Sequence, residues 1–176
     1  AFGLYDQQYG WPVLRKALND LFNGDGKALL AMADEYNRRD SNGNYTSNDA
    51  SSLSVISCSD FPPSGIDHEA LKNEAPIFGK YLMYSEMDCQ YLPKPKYELI
   101  TGPINLDSKV LVIGTTNDPA TPYQWAVKLS QILLQSVLIS VTGEGHTGYN
   151  RENPCVDQAV EKYLISGVIP AQNLAC

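Results

Sequence analysis

Two short apolar runs, separated by one helix-length stretch, constrain this chain more than any other feature. Val-Leu-Val-Ile-Gly at 110–114 reads as a strand buried on both faces. It breaks into Thr-Thr-Asn-Asp-Pro at 115–119, a polar turn carrying one carboxylate, Asp118. Thr121-Pro122-Tyr123-Gln124 reads as a helix start, with Thr121 as N-cap, Pro122 at the first helical position and Gln124 closing a capping box. The helix is expected to run to about Leu134. Ser-Val-Leu-Ile-Ser-Val at 136–141 is a second buried strand. It ends in the glycine-rich turn Thr-Gly-Glu-Gly-His-Thr-Gly at 142–148, which carries His146, one of only 2 histidines. Strand, crossover helix and strand form a βαβ unit, so the strands should be parallel and both loops should open at one sheet edge. Asp118 and His146 are then expected side by side, at the edge where open α/β sheets keep their sites.

An acid at the end of one strand and a histidine at the end of the next make half of a nucleophilic triad. The carboxylate would hold the imidazole in one tautomer, and the other ring nitrogen would carry a proton between nucleophile and leaving group. Acid before histidine fits the α/β-hydrolase order of Ser, Asp, His. The nucleophile itself is missing. No Gly-x-Ser-x-Gly occurs, and Ser64-Gly65 follows two prolines rather than a strand. The early strands of a hydrolase sheet are absent as well. The chain is therefore expected to be the C-terminal part of a longer enzyme, or a non-catalytic binding domain.

Composition narrows the partners. A net charge of −7 with scattered basic residues argues against nucleic acid, which requires clustered Lys and Arg. No apolar run reaches the length of a membrane span, and no signal peptide is visible at Ala1, so the start is expected to be a processed or cut end. Cys58, Cys89, Cys155 and Cys176 are spaced too irregularly for a zinc site, and no metal or cofactor is expected. An even number of cysteines ending on Cys176 suggests two disulfides, hence a secreted or cell-surface protein. Three connectivities are open. Cys155–Cys176 with Cys58–Cys89 is favoured, because the first bridge would tie the tail to the last helix. Closing that loop is worth on the order of 3 kcal/mol in the chain-entropy model.

Upstream, residues 12–22 and 27 to about 38 have helical spacing, with Asp25 able to cap the second segment. Residues 39–52 are a polar loop containing the weak glycosylation sequon Asn44-Tyr45-Thr46. Residues 53–58 read as a strand or extended segment. Asp67 should cap a helix running to about Pro76, and 78–87 is a further helical stretch. Residues 91–97 hold two prolines and read as a linker, which puts a domain boundary near residue 100. Residues 156–165 form an amphipathic helix with Val156, Ala159, Val160, Tyr163 and Leu164 inward, ended by Gly167. The tail beyond it has no evident structure.

These motifs carry a family resemblance. Val-Leu-Val-Ile-Gly-Thr-Thr-Asn-Asp-Pro-Ala-Thr-Pro-Tyr at 110–123 resembles the acid-bearing segment of the tripeptidyl-aminopeptidase-like serine hydrolases. Gly-Glu-Gly-His at 143–146, followed by Cys155, Tyr163-Leu164, Gly167, Pro170 and Cys176, is similar to that family's C-terminal signature. Tyr5, Trp11, Ala17-Leu18, Gly24-Asp25-Gly26 and Ala33-Asp34 resemble the opening of its cap. Ile-Ser-Cys-Ser-Asp at 56–60 and Cys-Gln-Tyr-Leu-Pro at 89–93 resemble two further cap motifs. One departure is Tyr91, since the family more often has Trp before the proline.

The resemblance implies the C-terminal portion of an α/β-hydrolase sheet, residues 101–176, plus a mainly helical cap, residues 1–100, that sets specificity. It implies an exported serine exopeptidase that releases short peptides from free N-termini through an acyl-enzyme. Asp118 matches the triad acid and His146 the base. The nucleophilic serine would come from an upstream part of the same enzyme, so this chain alone should be inactive. An esterase or an iminopeptidase of the same fold is the nearest rival. Within the cap, Asp60 is the candidate to bind the substrate's α-ammonium, against a purely structural role at the turn before Phe61-Pro62. Glu69, Glu74, Glu86 and Asp88 are its rivals.

Overall fold

The computed structural model describes residues 2–61, 67–82, 89, 91–92, 96–97, 100 and 102–176. Its elements in chain order are a 3₁₀ turn at Phe2–Leu4, α1 (Gly10–Phe22), α2 (Lys27–Tyr36), α3 (Asp49–Asp60), α4 (His68–Glu74), α5 (Gly79–Leu82), β1 (Val110–Asn117), α6 (Tyr123–Ile132), β2 (Ser136–Glu144), α7 (Pro154–Ser166) and β3 (Leu174–Ala175). They fall into two compact units. One comprises residues 1–33 and 101–176, the other 34–100. The first 33 residues thus fall in the same compact unit as the C-terminal segment.

In the first unit the sheet order is β1-β2-β3, and both pairings are parallel. Alternation along the strands sends successive side chains to opposite faces. On one face Ile139 and Val141 of β2 pack with Val156 and Val160 of α7, and Leu111, Ile113, Ala159 and Leu174 close around them. On the other face α6 lies against β1. A side chain at Gly114 would sit 2.7 Å from Ala126 Cβ, so glycine there permits the close approach. The Tyr123 hydroxyl and the Ser140 hydroxyl bond at 2.7 Å across this same layer. Helices on both faces explain why β2 is apolar on both sides rather than alternating, with Val137, Leu138, Ile139 and Val141 all buried.

Several expectations change. β1 does not stop at Gly114 but continues through Asn117, because Thr115 is buried and β-branched threonines suit a strand. The tail is not structureless. β3 adds to β2, with Cys176 N–H donating to Ser140 O at 2.8 Å, and Cys155–Cys176 closes the edge. Leu164 is 67% exposed, on the solvent side of α7. The helix begins at Pro154, with the Asn153 side chain accepting from Cys155 N–H, and ends at Gly167 with φ 66°.

In the second unit, residues 53–58 lie inside α3 and not in a strand. Their serine-apolar alternation mimics a strand period, but Ser47 Oγ accepts from Asp49 N–H and starts a helix just upstream. Residues 39–45 form a tight antiparallel turn, with Asp40 accepting from the N–H groups of Asn42 and Asn44. Asp67 caps α4 as expected, accepting from Glu69 and Ala70 N–H. Cys58–Cys89 forms the second disulfide. Residues 83–87 of the expected second helical stretch, part of the 91–97 linker, and Glu86 and Asp88 lie outside the described residues.

Candidate active site

Asp118 directly follows β1, and His146 lies just past the end of β2. Parallel pairing brings both loops to one end of the sheet. The register shifts between Thr115 and Asn117, so that Asn117 pairs with Glu144. Thr116 Oγ1 donates to Gly143 O at 3.2 Å and accepts from Gly143 N–H at 3.1 Å, and Asn117 Nδ2 donates to Glu144 Oε1 at 2.9 Å. These cross-links fasten the two strand ends on which the pair stands.

His146 Nδ1 lies 3.0 Å from Asp118 Oδ2 and 3.1 Å from Oδ1. The Asp118 side chain is 3% exposed and the imidazole 26%. Oδ1 also accepts the backbone N–H groups of Ala120 and Thr121, each at 2.8 Å. Oδ2 accepts the Thr121 hydroxyl at 2.8 Å and Thr147 N–H at 3.2 Å. Burial is the largest single influence on this carboxyl and pushes its pKa up. The amides of Thr121 and Ala120, then His146 and the Thr121 hydroxyl, outweigh it together and hold the pKa well below the ordinary carboxylate range. An ionised carboxylate only accepts, so the shared proton sits on Nδ1 and the neutral ring keeps Nε2 as an acceptor. The arrangement can take a proton at Nε2 and stabilise the resulting imidazolium.

The expected capping box at Thr121 does not form. α6 starts at Tyr123, preceded by Pro122, with no side-chain cap bond. The Thr121 hydroxyl is committed to Asp118 instead, where a charged acceptor makes the stronger bond. Thr121 is thus a site residue whose sequence context points to a different role. The Asp-Pro-x-Thr spacing, with the carboxylate three residues ahead of the hydroxyl, is the signal that could have found it.

Tyr5 has no such signal. Its carbonyl accepts His146 N–H at 2.8 Å, and its ring centroid lies 4.6 Å from the imidazole's. A hollow of about 470 Å³ opens beside the imidazole, lined in part by Tyr5, Asp6, Tyr9, Glu144, Arg151 and Glu152. A second, more apolar hollow of about 360 Å³ lies along β1 and includes Gly114, Thr115, Asp118 and Trp125. Asp60 is the last residue of α3, in the unit formed by 34–100. Among the described residues no group of three or more His, Cys, Asp or Glu is placed to hold a metal, and no helix is long and apolar enough to cross a membrane.

The profile of the TAP-like protein family, an α/β-hydrolase family, matches residues 75–176, which include both members of the pair. The chain belongs to the TAP-like α/β-hydrolase family. Among its relatives, a protein named carboxylesterase B from Mycobacterium tuberculosis is 34% identical over 98% of this chain and 35% of its own length. Serine protease Hip1 from the same species is 34% identical over 94% of this chain and 34% of its own length. A tripeptidyl aminopeptidase from Streptomyces lividans is 37% identical over 38% of this chain and 13% of its own. The chain spans about a third of the length of the first two relatives.

Proposed function

We propose that this chain supplies the acid and base of a serine hydrolase whose nucleophile lies upstream in the same enzyme. One observation carries the reading: the buried Asp118 carboxylate 3.0 Å from His146 Nδ1, at the ends of adjacent parallel strands. In this reading Nε2 takes the proton from the serine hydroxyl as its oxygen adds to the substrate carbonyl. The imidazolium, held by Asp118, then gives that proton to the leaving group as the scissile bond breaks. Water enters by the same route and releases the acyl group. Asp118 stays ionised and keeps the ring oriented throughout.

The substrate class we propose is a short peptide cleaved from a free N-terminus, in an exported enzyme. Kinship with a serine protease and an aminopeptidase supports the first part, and two disulfides support the second. By itself the chain should be inactive. Residues 34–100, the greater part of the proposed cap, contain Asp60, proposed to meet the substrate's ammonium group. The match to carboxylesterase B over nearly the whole chain favours an esterase as the second reading.

In the full-length enzyme, Asp118→Asn and His146→Ala should each lower kcat by about 10⁴-fold, as in other triads. Near-normal turnover in either variant removes the assignment. A panel of free-amino peptides, N-blocked peptides and simple esters separates the two substrate readings, since the peptidase requires the free amine and the esterase ignores it. On that panel Asp60→Asn should erode the preference for a free amine, and an unchanged preference ends the role given to Asp60.

A further inference from the structure

The loop that carries His146 is built from backbone that does not hold itself. Gly145, Thr147, Asn150 and Glu152 have φ of 93°, 72°, 58° and 59°, and three of these four carry side chains in the left-handed region. Such a run persists where surrounding contacts over-determine it: Asp157 Oδ1 accepts from Asn150 N–H at 2.7 Å, and at the histidine itself contacts come from the far end of the chain. Tyr5 O accepts His146 N–H at 2.8 Å. A Cβ on Gly145 would stand 2.8 Å from that same carbonyl oxygen, so only glycine lets the two backbones meet. The Tyr5 ring faces the imidazole at 4.6 Å between centroids, tilted by 47°. Asp6 accepts from Arg151 Nη1 at 3.3 Å, and Arg151 Nε donates to Thr147 Oγ1 at 3.3 Å. Thr147 N–H in turn donates to Asp118.

This segment is itself anchored. Asp6 O accepts from Gly10 and Trp11 N–H, Asp6 Oδ1 accepts from Tyr9 N–H, and Trp11 Nε1 donates to Leu4 O. Tyr5 and Asp6 are thereby fixed to the start of α1 before they touch the histidine loop. The Asp6–Arg151 link is about half exposed at most, with side chains 34% and 43% accessible. Its contribution is therefore geometric more than energetic, since partly exposed ion pairs stabilise little.

We infer that Tyr5, Asp6 and Arg151 form a clamp that positions the imidazole for proton transfer, resting on the catalytic reading of Asp118 and His146 proposed above. Tyr5 sets the plane of the ring and the height of its backbone. The Asp6–Arg151–Thr147 chain sets the loop behind it. None of these residues touches the reacting atoms in this reading, so they are positioning residues. Small displacements of a proton carrier matter because transfer requires near-contact geometry.

The test uses the full-length enzyme, with the folded fraction measured by thermal melting and the active fraction by burst titration with a fluorophosphonate. Tyr5→Leu and Arg151→Ala should each lower kcat by about tenfold to a hundredfold with KM and melting temperature unchanged. Tyr5→Phe, which keeps the ring, should retain most of the activity lost in Tyr5→Leu. Asp6→Ala should cost less in an Arg151→Ala background than in the unaltered enzyme, because the Asp6–Arg151 link is then already gone and only the Asp6–Tyr9 bond is left to lose. Unchanged kcat in both Tyr5→Leu and Arg151→Ala overturns the clamp. So does a loss that appears only in KM, or only as a lower melting temperature. His146→Ala separates the two claims. If it is inactive and the clamp variants are silent, the clamp alone fails. If it turns over normally, the catalytic reading fails and takes the clamp with it.

Discussion

Asp118 shows how a single residue can be buried and still remain an anion. Its oxygens receive the amides of Ala120, Thr121 and Thr147, the Thr121 hydroxyl and His146 Nδ1. Bonds to the charged form outweigh the cost of burial, and the pKa falls below its unfolded value. A carboxyl depressed on folding contributes stability above its unfolded pKa, and that contribution is lost as pH falls toward the folded value. The window therefore opens at about pH 4, the unfolded aspartate value, and extends downward. Melting curves of the protein and its Asp118→Asn variant should differ by a constant amount from neutral pH down to about pH 5, and converge progressively below about pH 4. A gap independent of pH through that acid range would mean that the carboxylate charge is not what the site stabilises. Asp118 and His146 are legible because each sits where a recognisable local pattern ends, an apolar strand running into a polar turn. The role of Thr121 is not, because Thr-Pro-x-Gln also satisfies a capping box, and only the fold reveals that a buried anion competes for the hydroxyl.

Among the elements, β2 and α7 are plain from sequence because burial acts locally on them. β2 is covered on both faces, and α7 has a cap at Asn153 and a left-handed stop at Gly167. β3 is invisible there. Two residues carry no period, and they lie beside β2 next to a bond between Cys155 and Cys176, 21 residues apart. α3 misleads for the opposite reason: its residues carry a period, but one imposed by scattered serines and not by a buried face. Leu53 and Ile56 are both more than half exposed. If the disulfide holds β3 in register, Cys155→Ala with Cys176→Ala should lower stability by about 2–4 kcal/mol. Denaturation midpoints of the protein with and without reductant would check this. Equal midpoints for oxidised, reduced and double-variant protein would show that β3 docks without its bridge.

On the scale of the whole molecule, local patterns lose their reach. Nothing near Tyr5 in the sequence announces that it meets His146, and the Asp6–Arg151 link spans a separation of 145 residues. The first residues share a compact unit with the strands at the other end of the chain, a grouping that no local pattern carries. The unit that holds Asp118 and His146 is left by the chain once, after residue 33, and rejoined once, at residue 101. Two crossovers, at those points, are then enough to exchange the whole intervening stretch between relatives, while Asp118, His146 and the N-terminal residues that grip the histidine loop pass together to the offspring. Recombination in such a gene can replace that stretch and inherit the Asp118–His146 pair intact.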